Sequence, residues 1–167
     1  DIQEINYEAF PEALEWHLKT KGITQKEFAQ SAKVSEQNVS LWLNRDAYPN
    51  LDSLIKVADF LNYSLDFLLG RTEHEEVYLA IQRTSFQKRL KFLMEKNHQT
   101  ANYIATSCKF KNYNFTRWQR GATPTPELLN KLAYHFNVSV DYLVEGRIPF
   151  DFYMRFKEFH MGGFCAA

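Results

Sequence analysis

Between positions 109 and 120 the sequence gathers Lys109, Lys111, Asn112, Tyr113, Asn114, Arg117 and Arg120. Such side chains can hold an anion or meet a hydrogen-bonding edge; they do not make or break bonds. Bond-making chemistry finds no support elsewhere. The histidines His17, His74, His98, His135 and His160 are scattered, without metal-ligand or paired catalytic spacing. Two cysteines, Cys108 and Cys165, are too few for a disulfide framework or a four-ligand metal site. There is no phosphate-binding glycine loop and no nucleophile elbow. The expectation is a chain that is not an enzyme, with no cofactor and no metal.

The 167 residues carry 20 basic and 20 acidic side chains, so the formal net charge is zero. That zero hides an asymmetry. Residues 1–84 have a net charge of −6, residues 85–147 have +6, and the last 20 residues balance. A basic segment can bind anions, can attract the acidic half, or can simply be a solvated face, and charge alone does not choose. A hydrophobic content of 45% with 16% aromatics supplies a core and argues against disorder. Only 6 Gly and 5 Pro disfavour an all-β fold rich in special turns. No apolar run approaches the length of a membrane span. The opening Asp1-Ile-Gln-Glu has no hydrophobic signal core and no Met, so a trimmed or processed chain is expected. The class expected is a soluble, reduced, mostly helical, cytoplasmic protein without membrane contact.

The charge division follows an internal repeat. At a shift of 76, Phe10 falls on Phe86, Leu14 on Leu90, Thr24 on Thr100, Ala29 on Ala105, Lys33 on Lys109 and Trp42 on Trp118. One residue is lost in a loop. At a shift of 75, Pro49 then falls on Pro124, Leu54 on Leu129, Asn62 on Asn137, Ser64 on Ser139 and Asp66 on Asp141. Both copies close on Gly-Arg, at Gly70-Arg71 and Gly146-Arg147. A repeat of this length is a whole domain, not a solenoid unit. The division expected is a domain at 1–71, a linker at 72–84, a domain at 85–147 and a tail at 148–167.

Each copy reads as five short helices, giving an all-α fold. In copy one, Pro11 fits a first helical position, and Phe10, Leu14 and Leu18 form an apolar stripe. Thr24 to Glu27 is a capping box. Ser35, Asn50 and Ser64 fit the caps of the third, fourth and fifth helices. Copy two repeats the pattern from Phe86, with starts at Thr100, Lys111, Pro126 and Ser139. Helices two and three are about three residues apart. Ala29 sits where two helices must approach closely, and Val34, Val39 and Trp42 dock the third helix on the second. Copy two supplies Ala105, Phe110, Phe115 and Trp118. Two helices on a tight turn, the second presented outward, is helix-turn-helix geometry.

The stretch 24–42, TQKEFAQSAKVSEQNVSLW, resembles the XRE family of regulators, which includes the lambdoid phage repressors and Cro. So do the endings VADFLNYSLDFLLGR at 57–71 and LAYHFNVSVDYL at 132–143. The resemblance covers about residues 10–71 and 86–147. It implies two tandem five-helix, lambda-repressor-like domains whose third helices enter the major groove of double-stranded DNA, and a transcriptional regulator, most often a repressor. In copy one, Val39 and Trp42 pointing inward at period 3.6 put Gln37, Leu41 and Asn44 on the outward face of that helix, with Ser35, Glu36 and Asn38 at its exposed start. Gln25 falls at a family phosphate contact, and Arg45 by its charge can add another. Copy one is a mediocre reader, since Glu36 repels phosphate and Leu41 offers only a methyl contact. Copy two presents Lys111, Asn112, Tyr113 and Arg117, flanked by Asn114 and Arg120. Arg and Lys suit guanine and Asn suits adenine; Lys109, Arg120 and Lys131 suit phosphates. Both faces can also be read as plain solvated helix surface. The sequence departs from the family at Lys33 and Lys109, where relatives often have Gly, and at Leu43 and Arg45, where Glu and Gly are common. Ala101 replaces the Gln expected at the second helix of copy two, while Gly121 is kept.

The linker lacks Gly and Pro, and Val77, Leu79 and Ile81 can pack, so it is expected to fix the two domains relative to one another. In the tail, Asp151 fits the cap of a short aromatic helix with Phe152, Phe156 and Phe159 on one face. Two turns this aromatic do not stand alone in water. They fold back onto a repeat or form a homodimer interface. Two other function classes stay open: a protein-docking helix-turn-helix, and an antitoxin paired with a small toxin.

Overall fold

The computed structural model describes residues 4–73 and 85–145, and the backbone at 78–79 and 148–149. The expected aromatic helix, Gly146-Arg147, and Val77 and Ile81 of the linker lie outside the described residues. The first helix set is α1 (Ala9–Lys21), α2 (Gln25–Ala32), α3 (Glu36–Leu43), α4 (Leu51–Leu61) and α5 (Leu65–Leu68). The second is α6 (Phe86–Lys96), α7 (Ala101–Ser107), α8 (Tyr113–Gln119), α9 (Pro126–Phe136) and α10 (Val140–Glu145). One addition to the all-α expectation is a two-residue antiparallel ladder. Strand β1 (Tyr78–Leu79) pairs with β2 (Ile148–Pro149), joining the linker to the stretch after α10.

The caps act where local chemistry puts them. Thr24 and Glu27 close the capping box at α2. Ser35, Asn50, Ser64, Ser85, Thr100 and Thr125 each accept from the third backbone N–H along. Two expected starts move. Helix α1 begins at Ala9, not Pro11, because Asn6 makes the opening turn and accepts from Glu8 N–H and Ala9 N–H. Pro11 then sits in the first turn, where its missing N–H costs nothing. Helix α8 begins at Tyr113, two residues after Lys111. A lysine cannot accept as Ser35 does, so the chain opens with tight turns from Asn114 N–H to Lys111 O and Phe115 N–H to Asn112 O.

The repeat is visible in the backbone as well as in residue types. Gly22 and His98, Lys33 and Lys109, Arg45 and Gly121, and Asn62 and Asn137 all have left-handed or positive φ, and each pair falls at the repeat spacing. Lys33 and Lys109 therefore do occupy the left-handed turn before the third helix, at a cost of about 1 kcal/mol each relative to glycine. The cores match too. Phe10 meets Trp42 edge-on with ring centroids 5.5 Å apart, and Phe86 meets Trp118 edge-on at 5.5 Å. Ala29 and Ala105 are buried at the helix crossing, and Val34 and Phe110 pack against the core.

The two helix sets meet at α5 and α10. Leu65 N–H donates to Asp141 Oδ1 (2.9 Å) and Asp66 N–H to Asp141 Oδ2 (3.0 Å). In return, Val140 N–H donates to Asp66 Oδ1 (3.1 Å) and Asp141 N–H to Asp66 Oδ2 (3.2 Å). Each carboxylate thus caps the other set's helix. Asp141 is fully buried and Asp66 8% exposed. Arg71 pairs with Asp66 (2.7 Å), donates to Asn130 Oδ1 (2.9 Å) and lies over the Tyr134 ring. Tyr7 adds a hydrogen bond to Glu127 on α9.

Burial, the hydrogen bond that a protonated Asp141 donates to Asp66, and the negative charge of Asp66 push the Asp141 carboxyl well above the usual carboxylate range, against the pull of the two backbone N–H donors. A raised pKa in the folded state means the folded protein holds a proton that the unfolded chain releases. Its contribution to stability is present below the ordinary Asp range and is lost as pH rises through the folded value. In urea unfolding across a pH series, the wild type should lose this increment as pH rises, and Asp141→Asn should not. Parallel curves for the two proteins would contradict the assignment.

Candidate nucleic-acid interface

The third helix of the first set is aimed by its inward side. Val39 and Trp42 are buried, and Ser35 Oγ accepts from Asn38 N–H at 3.1 Å, which sets where the helix begins. Glu36, Gln37, Asn38 and Asn44 are exposed along the other side, and Leu41 is half-buried. Gln25 is exposed at the first position of α2. The capping hydrogen bonds from Thr24 hold the Glu27 carboxyl below its ordinary value and keep it charged at the start of α2.

Arg45 is placed differently from the expectation of a free phosphate contact. Its guanidinium reaches back to α1, where it pairs with Glu8 (3.2 Å) and Glu15 and donates to its own Leu43 carbonyl. The left-handed backbone at Arg45 turns the side chain that way. The first set's outward face therefore carries Glu36 with little opposing charge.

The second set is richer in donors. Phe115 and Trp118 are buried, and Lys111, Asn112, Tyr113, Arg117 and Arg120 are exposed, Tyr113 at 53%. Lys109, Lys111, Arg117 and Arg120 have no acidic partner among the described residues. Two expected contacts are committed internally. Asn114 is buried and donates through Nδ2 to the Lys111 carbonyl at 3.0 Å, standing in for the missing cap. Lys131 is half-buried, with Nζ 3.4 Å from the Lys109 carbonyl, so it braces the turn beside the helix.

Sequence reasoning missed Thr116, which is exposed between Tyr113 and Arg117 on the same stripe. Its spacing of three from Tyr113 was the available signal. It also missed the junction role of Asp66, Asp141 and Arg71. Cys108 is buried as a small core residue, and burial raises its thiol pKa. No cluster of three metal-ligating side chains occurs among the described residues. No helix among them is long and apolar enough to cross a membrane.

Residues 14–68 match the helix-turn-helix family model. The chain is 28% identical over 100 residues to the HTH-type transcriptional regulator ImmR of Bacillus subtilis (strain 168), covering 53% of this chain and 79% of that protein. No solved structure gives a significant match. The first helix set thus matches a helix-turn-helix model, and the chain is similar to a protein described as an HTH-type transcriptional regulator.

The site separates structural from outward residues in a testable way. Asn114→Ala should destabilise the fold by about 1 kcal/mol or more, because it removes the amide that closes the start of α8. Arg117→Ala should stay within about 0.5 kcal/mol of wild type, as an exposed position away from caps and core. Urea titrations of both variants check the contrast; equal effects would overturn it.

Proposed function

We propose that the chain is two helix-turn-helix domains, 1–71 and 85–147, joined by residues 72–84, and that it binds double-stranded DNA through α3 and α8 in the major groove. The role is transcriptional regulation by repression, in the cytoplasm. The observation that carries this reading is the outward side of α8 and of the turn leading into it, where Lys111, Asn112, Tyr113 and Arg117 stand exposed beside Lys109 and Arg120 without acidic partners among the described residues. Arg117 and Lys111 have the donors for guanine, Asn112 for adenine, and Lys109 and Arg120 for phosphate. The likeness of the chain to a transcriptional regulator agrees. The face of α3 contributes Gln37, Asn38 and Asn44, with Gln25 at the backbone.

A second reading draws on Glu36 and on the engaged Arg45. In it, the acidic first set docks a protein partner, such as a small toxin, and only α8 meets DNA.

Selection of bound duplexes from a random library, followed by affinity measurements on the retained sequence, tests the proposal. Arg117→Ala and Asn112→Ala should each cost about 1–3 kcal/mol on the selected site and relax preference at one position. Lys109→Ala should weaken all sequences alike and lower the salt slope by about one unit. Unchanged binding after Arg117→Ala and Asn112→Ala together would overturn the assignment of α8.

A further inference from the structure

The junction bonds come in mated pairs. Leu65 N–H to Asp141 Oδ1 is answered by Val140 N–H to Asp66 Oδ1, and Asp66 N–H to Asp141 Oδ2 by Asp141 N–H to Asp66 Oδ2. Leu65 and Val140 hold one repeat position, and Asp66 and Asp141 hold the next. The same patch of each helix set therefore faces the same patch of the other. That is an isologous contact, the mark of a twofold axis. A head-to-tail arrangement would bring different patches together and could not exchange identical bonds. Because α3 and α8 occupy the same place within their sets, the axis that relates α5 to α10 also relates the two outward helices.

A twofold pair of readers fits DNA half-sites in inverted orientation; a translational pair would fit direct repeats. The half-sites cannot be alike, however. At matching positions Glu36 stands against Asn112, Gln37 against Tyr113 and Leu41 against Arg117. The spacing is also set by the fold, since the junction is buried and Arg71 spans it from Asp66 to Asn130.

We propose that the ligand is a duplex carrying two unlike half-sites in inverted orientation at one fixed spacing, filled by a single chain. This rests on the DNA-binding reading above and adds the form of the site. An ordinary homodimer would take two identical halves; here one chain already supplies both readers.

The test uses the full chain and changes only the DNA. A site selected from a random library is remade with one half-site flipped, and separately with about 5 base pairs, half a helical turn, inserted between the halves. Native mass spectrometry gives the stoichiometry. The expected result is one chain per duplex, two different motifs in inverted order, and about tenfold or greater loss of affinity on flipping or insertion, down to the level of one half-site. Direct repeats, two chains on a palindrome, or affinity indifferent to orientation and spacing would overturn the inference while leaving DNA binding intact. Failure to retain any DNA would overturn the DNA-binding reading and this inference with it.

Discussion

Two very short helices point their N-termini at each other, and each has backbone donors that its own residues cannot satisfy. Helix α5 has four residues and α10 has six. The first turn of a helix leaves N–H groups without partners, and its partial positive charge favours an anion. Ser64 satisfies Phe67 N–H and Ser139 satisfies Tyr142 N–H. The two donors before them, in each helix, are met by the carboxylate of the other helix set. Neither end is complete alone. The two buried carboxylates repel one another, which helps to raise the Asp141 pKa, and two things offset that repulsion: the four N–H donors and the Arg71 guanidinium on Asp66.

The rest of the arrangement follows from this contact. Helix α10 packs on α5, α6 and α9, and α5 packs on α1 and α4, so the junction is built into both cores. Within each core, one tryptophan holds the third helix against the first, Trp42 on Phe10 and Trp118 on Phe86. The orientation of α3 and α8 therefore passes through rigid packing back to the paired carboxylates. What differs between the sets is the outer surface. The first spends Arg45 on Glu8 and Glu15, while the second leaves Lys111, Arg117 and Arg120 outward where the first has Ser35, Leu41 and Asn44.

Local chemistry made much of this legible. A cap depends on residues three apart, so Thr24, Ser35, Asn50 and Ser64 marked their helices without knowledge of the fold. Apolar spacing marked Val39 and Trp42 as inward and Gln37 as outward. The failures were of longer reach. Arg45 looked free because its partners Glu8 and Glu15 lie 37 and 30 residues earlier. Asn114 looked like a reader because its repeat mate Asn38 is exposed; only the loss of the cap at Lys111 turns its amide inward. The matched Asp66 and Asp141 were visible as a repeat, but a pairing across 75 residues leaves no local trace. The short ladder of β1 with β2 joins segments equally far apart.

The most direct test of the junction is hydrogen exchange at the four amides it satisfies, Leu65, Asp66, Val140 and Asp141. If the reciprocal carboxylates hold the two helix sets together, all four should exchange slowly and at a similar rate, opening only with loss of the whole fold. Fast exchange at these four amides, in a protein whose Leu54 and Leu129 amides stay protected, would show that the two sets fold apart and that the carboxylates do not join them.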